Sequence, residues 1–294
     1  MTVCIGALCA SPDGRESGAA VVAADRMVTL GRITEFEHDV PKITTVADRV
    51  VALTSGDALR GAELARALVA SLPSGDRALE TVARVAVERY VELRRRQVEV
   101  EVFTPRGITM ADFYGGLQQR FVPPLAGSID QQVTSFNYGA DLLIAGVDEH
   151  GAHLYHVHHP GDLSDFARIG FHAIGTGALH ALHAMIGFGH TPRRPLREAV
   201  FSVYAAKRQA EVAPGVGEDT DMAVILDTGV KFLAQSVLDR LDDLYRAYQR
   251  PILREVEEKI AELRLFDEEE PPRATPSRRR RPRARRAVGG PAPR

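Results

Sequence analysis

Cysteine is scarce in this sequence of 294 residues, and Cys4 and Cys9 are the only two. Two cysteines are too few for a disulfide framework or a four-cysteine zinc site. Long apolar runs are also absent, and no segment approaches the ~18–20 apolar residues that a membrane-spanning helix needs. Residues 1–4 lack the basic and apolar regions of a secretory signal peptide. These absences predict a cytoplasmic protein that uses neither disulfides nor a membrane anchor.

The formal net charge of −2 conceals two parts of opposite sign. Residues 271–294 contain nine arginines and no lysine, aspartate or glutamate, so this tail carries +9 and residues 1–270 carry −11. An acidic body argues against nucleic-acid binding by the folded part. The tail has no apolar periodicity, so we expect it to be disordered. It is either a tether for nucleic acid or another acidic partner, or merely a solvated segment.

The order of strand and helix patterns predicts an α+β fold. Apolar runs bounded by turn residues predict strands at 3–8, 19–24, 42–45, 49–54, 142–148, 153–158 and 222–226. Helical spacing predicts helices at 59–72, after a candidate N-cap at Asp76, at 178–186 and at 196–209. This order indicates two sheets with helices on the outside, an α+β layered sandwich.

Three segments stand apart from that pattern. Residues 98–137 are rich in glycine and proline and are predicted to be an insertion over the core, with a short helix near 110–119. Residues 236–265 predict a long helix that is broken or kinked at Pro251. We therefore divide the chain into a domain at 1–235, a helical extension at 236–270 and the arginine-rich tail at 271–294.

Thr2 holds the most informative position for chemistry. Met1 precedes a small residue, so we expect its removal, which makes threonine the first residue. A terminal threonine combines a hydroxyl nucleophile with an α-amine of ordinary pKa about 7.7–8.0, which accepts the hydroxyl proton near neutral pH. By itself this is weak evidence, because most proteins with threonine at position 2 are not hydrolases.

Further motifs follow Thr2 in a specific order. Asp25 ends a buried strand, Thr29 follows four residues later, Lys42 with Ile43 opens the next strand, and Gly56 stands at the head of the first helix. In this order the sequence resembles proteasome β-subunits and the related bacterial ring protease that works with a hexameric unfoldase. The segments 143–148, 173–177, 205–207 and 220–225 also recur in the family's order, so the resemblance spans about residues 2–227.

The resemblance implies the N-terminal nucleophile hydrolase fold, a four-layer αββα sandwich, and a threonine-type endopeptidase. Thr2 Oγ1 would attack a peptide carbonyl and form an acyl-enzyme, while the Thr2 α-amine would relay protons. Lys42 would lower the pKa of the hydroxyl, and Asp25 would hold Lys42 in place. The Gly56 N–H would face the developing oxyanion, and Thr176 would orient the terminal amine.

The resemblance also implies a specificity pocket and an assembly. The pocket would be formed by Val28, Thr29, Val40, Thr54 and Ala58, whose small or apolar side chains favour cleavage after apolar residues. Members of this family close their sites inside a chamber. We therefore expect a homo-oligomeric ring that takes unfolded protein or peptide, with an ATP-dependent unfoldase as a possible partner. No cofactor and no metal are expected.

One departure from the family pattern concerns the groups around the terminal amine. Where the family usually has an aspartate after the 205–207 helix, this sequence has Ala210, and the loop that follows is about three residues longer. Glu211 and Asp219 are the candidate replacements. Three functions stay open: a threonine peptidase, an amidase of small molecules on the same fold, and a catalytically silent scaffold subunit.

Several of these residues also have a purely structural interpretation. Asp25 and Lys42 form a structural ion pair if the resemblance is set aside, and Gly56 is then only a helix-start glycine. Histidine is dense at 153, 156, 158 and 159, where alternation puts two on each face of a strand. Because no convergent carboxylates or cysteines are identifiable, a solvent-facing strand is favoured over a metal site.

Overall fold

The computed structural model describes residues 2–30, 34–38, 41–72 and 78–262 of the chain. Helices and antiparallel sheets are mixed along it, which confirms the predicted α+β class. The chain divides into two units, Met1–Ala247 and Tyr248–Arg294. The candidate N-cap Asp76 and the arginine-rich tail lie outside the described residues.

The strands, in chain order, are β1 (Cys4–Cys9), β2 (Ala19–Asp25), β3 (Met27–Leu30), β4 (Thr34–Glu37), β5 (Ile43–Ala47), β6 (Val50–Gly56), β7 (Ala140–Asp148), β8 (Gly151–His158), β9 (Asp162–Asp165), β10 (Phe171–Ile174), β11 (Thr220–Leu226) and β12 (Gly229–Phe232). One five-stranded sheet has the order β10-β1-β2-β11-β12, and a second has the order β5-β6-β7-β8-β9. Strands β3 and β4 form a separate antiparallel pair. All neighbouring strands in both five-stranded sheets are antiparallel.

The helices are α1 (Ala58–Ser71), α2 (Leu79–Val98), α3 (Met110–Tyr114), α4 (Pro123–Thr134), α5 (Ala178–Gly187), α6 (Leu196–Ala210) and α7 (Gln235–Glu262). Helix α7 runs through Pro251, so a break there is wrong, while the alternative of a kink at Pro251 stays a prediction. No helix in the described ranges combines the length and the apolar character that crossing a lipid bilayer demands.

The uninterrupted apolar runs at β1 and β2 have a simple cause. Both faces of these strands are buried, so no polar side chain alternates with the apolar ones. One face of this sheet packs on α5, α6 and the first part of α7, through a cluster that includes Ile5, Val21, Met185, Val203 and Leu241. Its other face packs on the second sheet, through Leu8, Val22, Leu53, Leu143 and Leu154 among others.

The second sheet carries helices on its remaining face. Leu64 and Leu68 of α1 and Val82 and Ala86 of α2 pack against this face, in a cluster that also contains Ile144 of β7. The antiparallel strands β5 and β6 occupy the chain between Lys42 and the start of α1, and their combined length accounts for the 14-residue spacing between Lys42 and Gly56. Lys42, just before β5, and Gly56, at the end of β6, are therefore brought to the same end of the sheet.

The insertion at 98–137 folds around a small apolar cluster of its own, which contains Val98, Val102, Phe103, Phe113 and Ile129. The predicted short helix is present as α3, whose N-terminus has a capping box between Thr109 and Asp112. Sequence patterns missed α4, which starts at two prolines, where a missing N–H costs no helical hydrogen bond. Arg60 of α1 binds the Tyr138 carbonyl at 2.7 Å, which ties the end of the insertion to the start of α1.

Candidate active site

Asp25 is fully buried at the end of β2, and its carboxylate is surrounded by donors. The Val3 N–H donates to Oδ1 at 2.9 Å. The N–H groups of Met27 and Gly217 donate to Oδ2 at 3.1 and 3.0 Å. Lys42 Nζ lies 2.7 Å from Oδ1 and balances the buried charge. These contacts fix the rotation of the carboxylate, with Oδ1 turned towards Thr2 and Lys42.

The Thr2 hydroxyl lies between these two charged groups. It donates a short hydrogen bond to Asp25 Oδ1 and accepts another short one from Lys42 Nζ. Thr2 is 2 % exposed, and the Lys42 side chain is 12 % exposed. An ammonium that donates to a hydroxyl oxygen favours its deprotonated form, so this arrangement suits a hydroxyl nucleophile with Lys42 as its activating group.

The main chain of Thr2 is held by the segment that follows β10. The Thr2 N–H donates to Thr176 Oγ1 at 3.1 Å, and the Gly177 N–H donates to the Thr2 carbonyl at 3.1 Å. Gly175 has φ of +93°, and a Cβ there would lie 2.3 Å from the Thr2 carbonyl oxygen. Only glycine allows this close approach, so Gly175 is needed to seat Thr2 beside Thr176.

Gly56 occupies a second position where only glycine fits. Its φ is +95°, and a Cβ would lie 2.3 Å from the Gly139 carbonyl oxygen. The next residue, Asp57, accepts hydrogen bonds from the N–H groups of Leu59 and Arg60, both at 3.0 Å, and caps α1. The sequence patterns placed Gly56 at the head of α1 but missed Asp57 as its N-cap.

A cavity of about 470 Å³ opens beside Thr2 and runs along α1. Thr2, Lys42 and Gly56 share this cavity. Three of the predicted pocket residues also line it, namely Val28, Thr54 and Ala58. Thr29 belongs to β3, where its backbone pairs with Glu35 of β4; Val40 lies outside the described residues. Further along α1 the wall is formed by Ala62, Ala65, Val69 and Ala70, with Arg66 at the surface.

The two candidate replacements for the family aspartate are placed elsewhere. The Glu211 carboxylate binds Lys207 Nζ at 2.6 Å and Arg208 at 3.2 Å, and the Asp219 N–H donates to Glu37 Oε1 at 3.2 Å. Within the described part of the chain, neither carboxylate is hydrogen-bonded to the Thr2 nitrogen. Ala210 is fully buried, and its Cβ lies beside Gly177. The side chain that takes the place of the family aspartate therefore offers no acceptor.

Cys4 lies next to the candidate nucleophile but is chemically quiet. Its thiol donates to the Thr54 carbonyl at 3.4 Å, and burial raises its pKa to about 12. A thiol that stays protonated at neutral pH is a poor nucleophile. The Thr2 hydroxyl therefore has no thiolate competitor at this end of β1.

In the histidine-rich strand β8, one histidine is less exposed to solvent than predicted. His156 of β8 and His172 of β10 approach each other across the two sheets, with His156 Nδ1 3.1 Å from His172 Nε2. Burial lowers the pKa of His156 to about 3 and that of His172 to about 4. His156 is half-buried and faces the other sheet, so the solvent-facing interpretation is wrong for this residue. Nowhere in the described ranges do three or more metal-ligating side chains converge to hold a metal ion.

Comparison with known proteins assigns no family to the chain. No protein-family model matches it, and no curated protein matches it either. What points to a function is therefore the set of contacts around Thr2 together with the resemblance of the motifs.

Proposed function

We propose that this protein is a threonine peptidase of the proteasome β-subunit type, in which Thr2 cleaves peptide bonds once it is the first residue of the mature chain. The observation that carries the proposal is the contact of the Thr2 hydroxyl with both Lys42 and Asp25 at the end of a cavity. The packing supports the corresponding fold. Two sheets packed on each other, each with helices on its other face, correspond to a four-layer αββα sandwich.

The reaction begins with the attack of Thr2 Oγ1 on the carbonyl carbon of a peptide held in the cavity. The hydroxyl proton passes to the free Thr2 α-amine, and Lys42 stabilises the developing alkoxide. The Gly56 N–H donates to the oxyanion of the tetrahedral intermediate, which collapses with loss of the amine product. That amine takes the proton from the α-ammonium. Water then hydrolyses the threonyl ester by the same steps in reverse order.

Release of the Thr2 nitrogen from a peptide bond is essential to this mechanism. While a residue precedes Thr2, its nitrogen is an amide and accepts no proton. The Thr2 N–H already donates to Thr176 Oγ1 at 3.1 Å, so Thr176 would orient the amine after cleavage. A primary amine at this position has an ordinary pKa of about 7.7–8.0 and serves as the base near neutral pH.

The test combines intact mass, peptide hydrolysis and covalent labelling. The purified wild-type protein should begin at Thr2, cleave a fluorogenic peptide with an apolar residue before the cleaved bond, and form a 1:1 adduct with a peptidyl β-lactone on Thr2. Thr2→Ala should abolish hydrolysis and labelling. Thr228→Ala, the same change at an exposed position outside the cavity lining, is the matched control and should retain both.

A mature protein that retains Met1 would contradict the proposal, and so would an adduct on any residue other than Thr2. Activity on small amides with none on peptides would instead identify an amidase. These outcomes separate the two hydrolytic functions without knowledge of the natural substrate.

The proposed setting is a cytoplasmic homo-oligomeric ring that receives unfolded protein, with an ATP-dependent unfoldase as partner. A closed ring would keep folded proteins away from the Thr2 site. Native mass spectrometry of the full chain should give one ring stoichiometry. A monomer that hydrolyses peptides at full rate would support the chemistry and contradict the assembly.

One observation favours a second function, a catalytically silent scaffold subunit. Ala210 brings no carboxylate to the Thr2 nitrogen, and the described contacts of Glu211 and Asp219 lie elsewhere. In that case neither the wild type nor Thr2→Ala would hydrolyse peptides or react with the β-lactone. Deletion of residues 271–294 would then change binding to an acidic partner, whereas for the peptidase it should leave peptide hydrolysis unaltered.

A further inference from the structure

Residue Glu218 is held by both of its main-chain polar groups. Its N–H donates to Glu37 Oε1 at 2.6 Å, and its carbonyl accepts from Lys207 Nζ at 2.5 Å. Glu37 lies at the end of β4 and Lys207 on α6, so two separate elements hold the two peptide units on either side of the Glu218 Cα, in the loop that precedes β11. The preceding residue, Gly217, donates its N–H to Asp25 Oδ2 at 3.0 Å.

Lys207 is an unusual residue at its position. It is fully buried on the face of α6 that also buries Val203 and Ala206. Burial lowers its pKa, while the Glu211 carboxylate 2.6 Å away acts in the opposite direction. Because an apolar side chain usually fills such a site at least as stably as a buried ion pair, stability alone does not account for a lysine here.

The path of the loop depends on a glycine as well. A Cβ on Gly217 would lie 2.5 Å from Glu37 Oε1 and 3.1 Å from the Met27 nitrogen. A side chain at position 217 would therefore displace the Glu37 carboxylate and crowd the Met27 nitrogen at the point where the loop donates to Asp25. The Glu37 carboxylate lies beside Gly217, and the hydrogen bond from Lys207 to the Glu218 carbonyl holds the next residue of the loop in place.

We infer that Lys207 and Glu37 are positioning residues that clamp Glu218 and thereby keep the Gly217 N–H on Asp25, an inference that rests on the proposed function of Thr2. Oδ2 of Asp25 is held by Met27 and Gly217, which turns Oδ1 towards Thr2 and Lys42. Without the clamp the carboxylate keeps one fewer donor and rotates more freely. The nucleophile then loses its alignment, although the cavity that binds substrate is unchanged.

The first measurement is independent of catalysis. In Lys207→Met, amide hydrogen exchange in the peptide that covers 213–219 should become about tenfold faster or more, because the loop opens locally with less cost. Arg208 still pairs with Glu211, so the substitution leaves that carboxylate with a partner. Lys231→Met, the same change at an exposed position of β12, is the matched control and should leave this exchange unchanged. Unchanged exchange in Lys207→Met would overturn the inference.

The second measurement separates positioning from general destabilisation. Lys207→Met should lower kcat on a fluorogenic peptide about 10–100-fold with KM within about twofold, since a small misplacement of a catalytic group has effects of this size. Glu37→Leu should do the same, whereas Glu37→Gln keeps an oxygen acceptor for the Glu218 N–H and should retain at least about half of the wild-type kcat. Equal kcat in Glu37→Leu and Glu37→Gln would overturn the inference.

The two proposals fail in distinguishable ways. If wild-type protein neither hydrolyses peptides nor labels at Thr2, the proposed function fails, and hydrogen exchange alone decides whether Lys207 and Glu37 clamp the loop. If the wild type is active and both Lys207→Met and Glu37→Leu keep its kcat, the inferred role of Lys207 and Glu37 is wrong, while the proposed peptidase function is unaffected. If Lys207→Met does not fold, hydrogen exchange and kcat are both measured on Glu37→Leu and Glu37→Gln, which change an exposed residue.

Discussion

Lys42 Nζ and Asp25 Oδ1 lie 2.7 Å apart, and the Thr2 hydroxyl contacts both atoms. A buried ion pair of this kind contributes little to stability by itself, because the desolvation of two charges offsets their attraction. Here the pair has a third member that is a potential nucleophile and that faces a cavity. This relationship favours a chemical role for Asp25 and Lys42 over a purely structural one.

Loss of the Lys42 ammonium should disable the nucleophile more than the fold. For Lys42→Met we expect kcat/KM on a fluorogenic peptide to fall about 10²–10⁴-fold, because the alkoxide loses the group that stabilises it. Lys42→Arg should not restore activity, since a planar guanidinium does not replace a compact ammonium between two oxygens. A variant that keeps more than a tenth of the wild-type activity would argue against this role.

A side chain at Gly56 should be far more harmful than one at another glycine of similar φ. Gly56 (φ +95°) would place a Cβ 2.3 Å from the Gly139 oxygen, whereas Gly14 (φ +90°) has nothing within 4 Å. Both alanine variants bear backbone strain, but only Gly56→Ala adds a clash. We expect Gly56→Ala to be less stable than Gly14→Ala by about 2 kcal/mol or more, roughly 4–8 °C in Tm.

Calorimetry of the two variants measures this difference directly. Peptide hydrolysis by Gly14→Ala should equal that of the wild type, and hydrolysis by Gly56→Ala should be lost, because the peptide unit that donates to the oxyanion shifts. Similar Tm values for both variants would show that the turn at Gly56 adapts without cost.

A larger side chain at Ala58 should change substrate choice. Ala58 lines the cavity, so Ala58→Phe should raise KM about tenfold for a peptide with leucine before the cleaved bond and less for one with alanine. Leu59→Phe alters the adjacent residue, which is 71 % exposed and outside the cavity lining, and serves as the control. Equal effects on both peptides would show that this cavity does not hold the side chain before the cleaved bond.

The half-buried pair His156 and His172 should make the fold sensitive to acid. The pKa values of His156 and His172 are lowered from 6.5 to about 3 and about 4, so the unfolded chain binds protons at a higher pH than the folded one. Their contribution to stability is therefore complete above about pH 6.5 and is lost progressively as the pH falls towards 4, by a few kcal/mol in order of magnitude.

Variants at two histidines test this contribution by denaturant unfolding between pH 7 and 4.5. His172→Phe removes the titrating ring beside His156 and should flatten the pH dependence of the free energy of unfolding. His180→Phe, at an exposed position on α5, should keep the wild-type slope. An unchanged slope in His172→Phe would show that other groups cause the acid sensitivity.

Most of the secondary structure could be predicted from local patterns. The continuous apolar runs of β1 and β2 and the helical spacing in α1 are visible in the sequence because burial on one face or both dictates residue type there. Helix α4 was missed, because its prolines and glycine resemble a loop and only packing in the insertion makes it helical. The same reason explains the misjudged strand β8, where His156 is buried by a partner from the other sheet.

The sequence by itself determined which residue types stand at the starts and ends of the strands, and so nominated Thr2, Asp25, Lys42 and Gly56 as candidates. Only the tertiary structure decided that the first three touch, that Gly217 and Lys207 support them, and that Glu211 pairs with Lys207. The physical reason is that hydrogen bonds between residues far apart in sequence depend on how sheets and loops pack. Local periodicity reports burial, but it does not report the partner of a buried polar group.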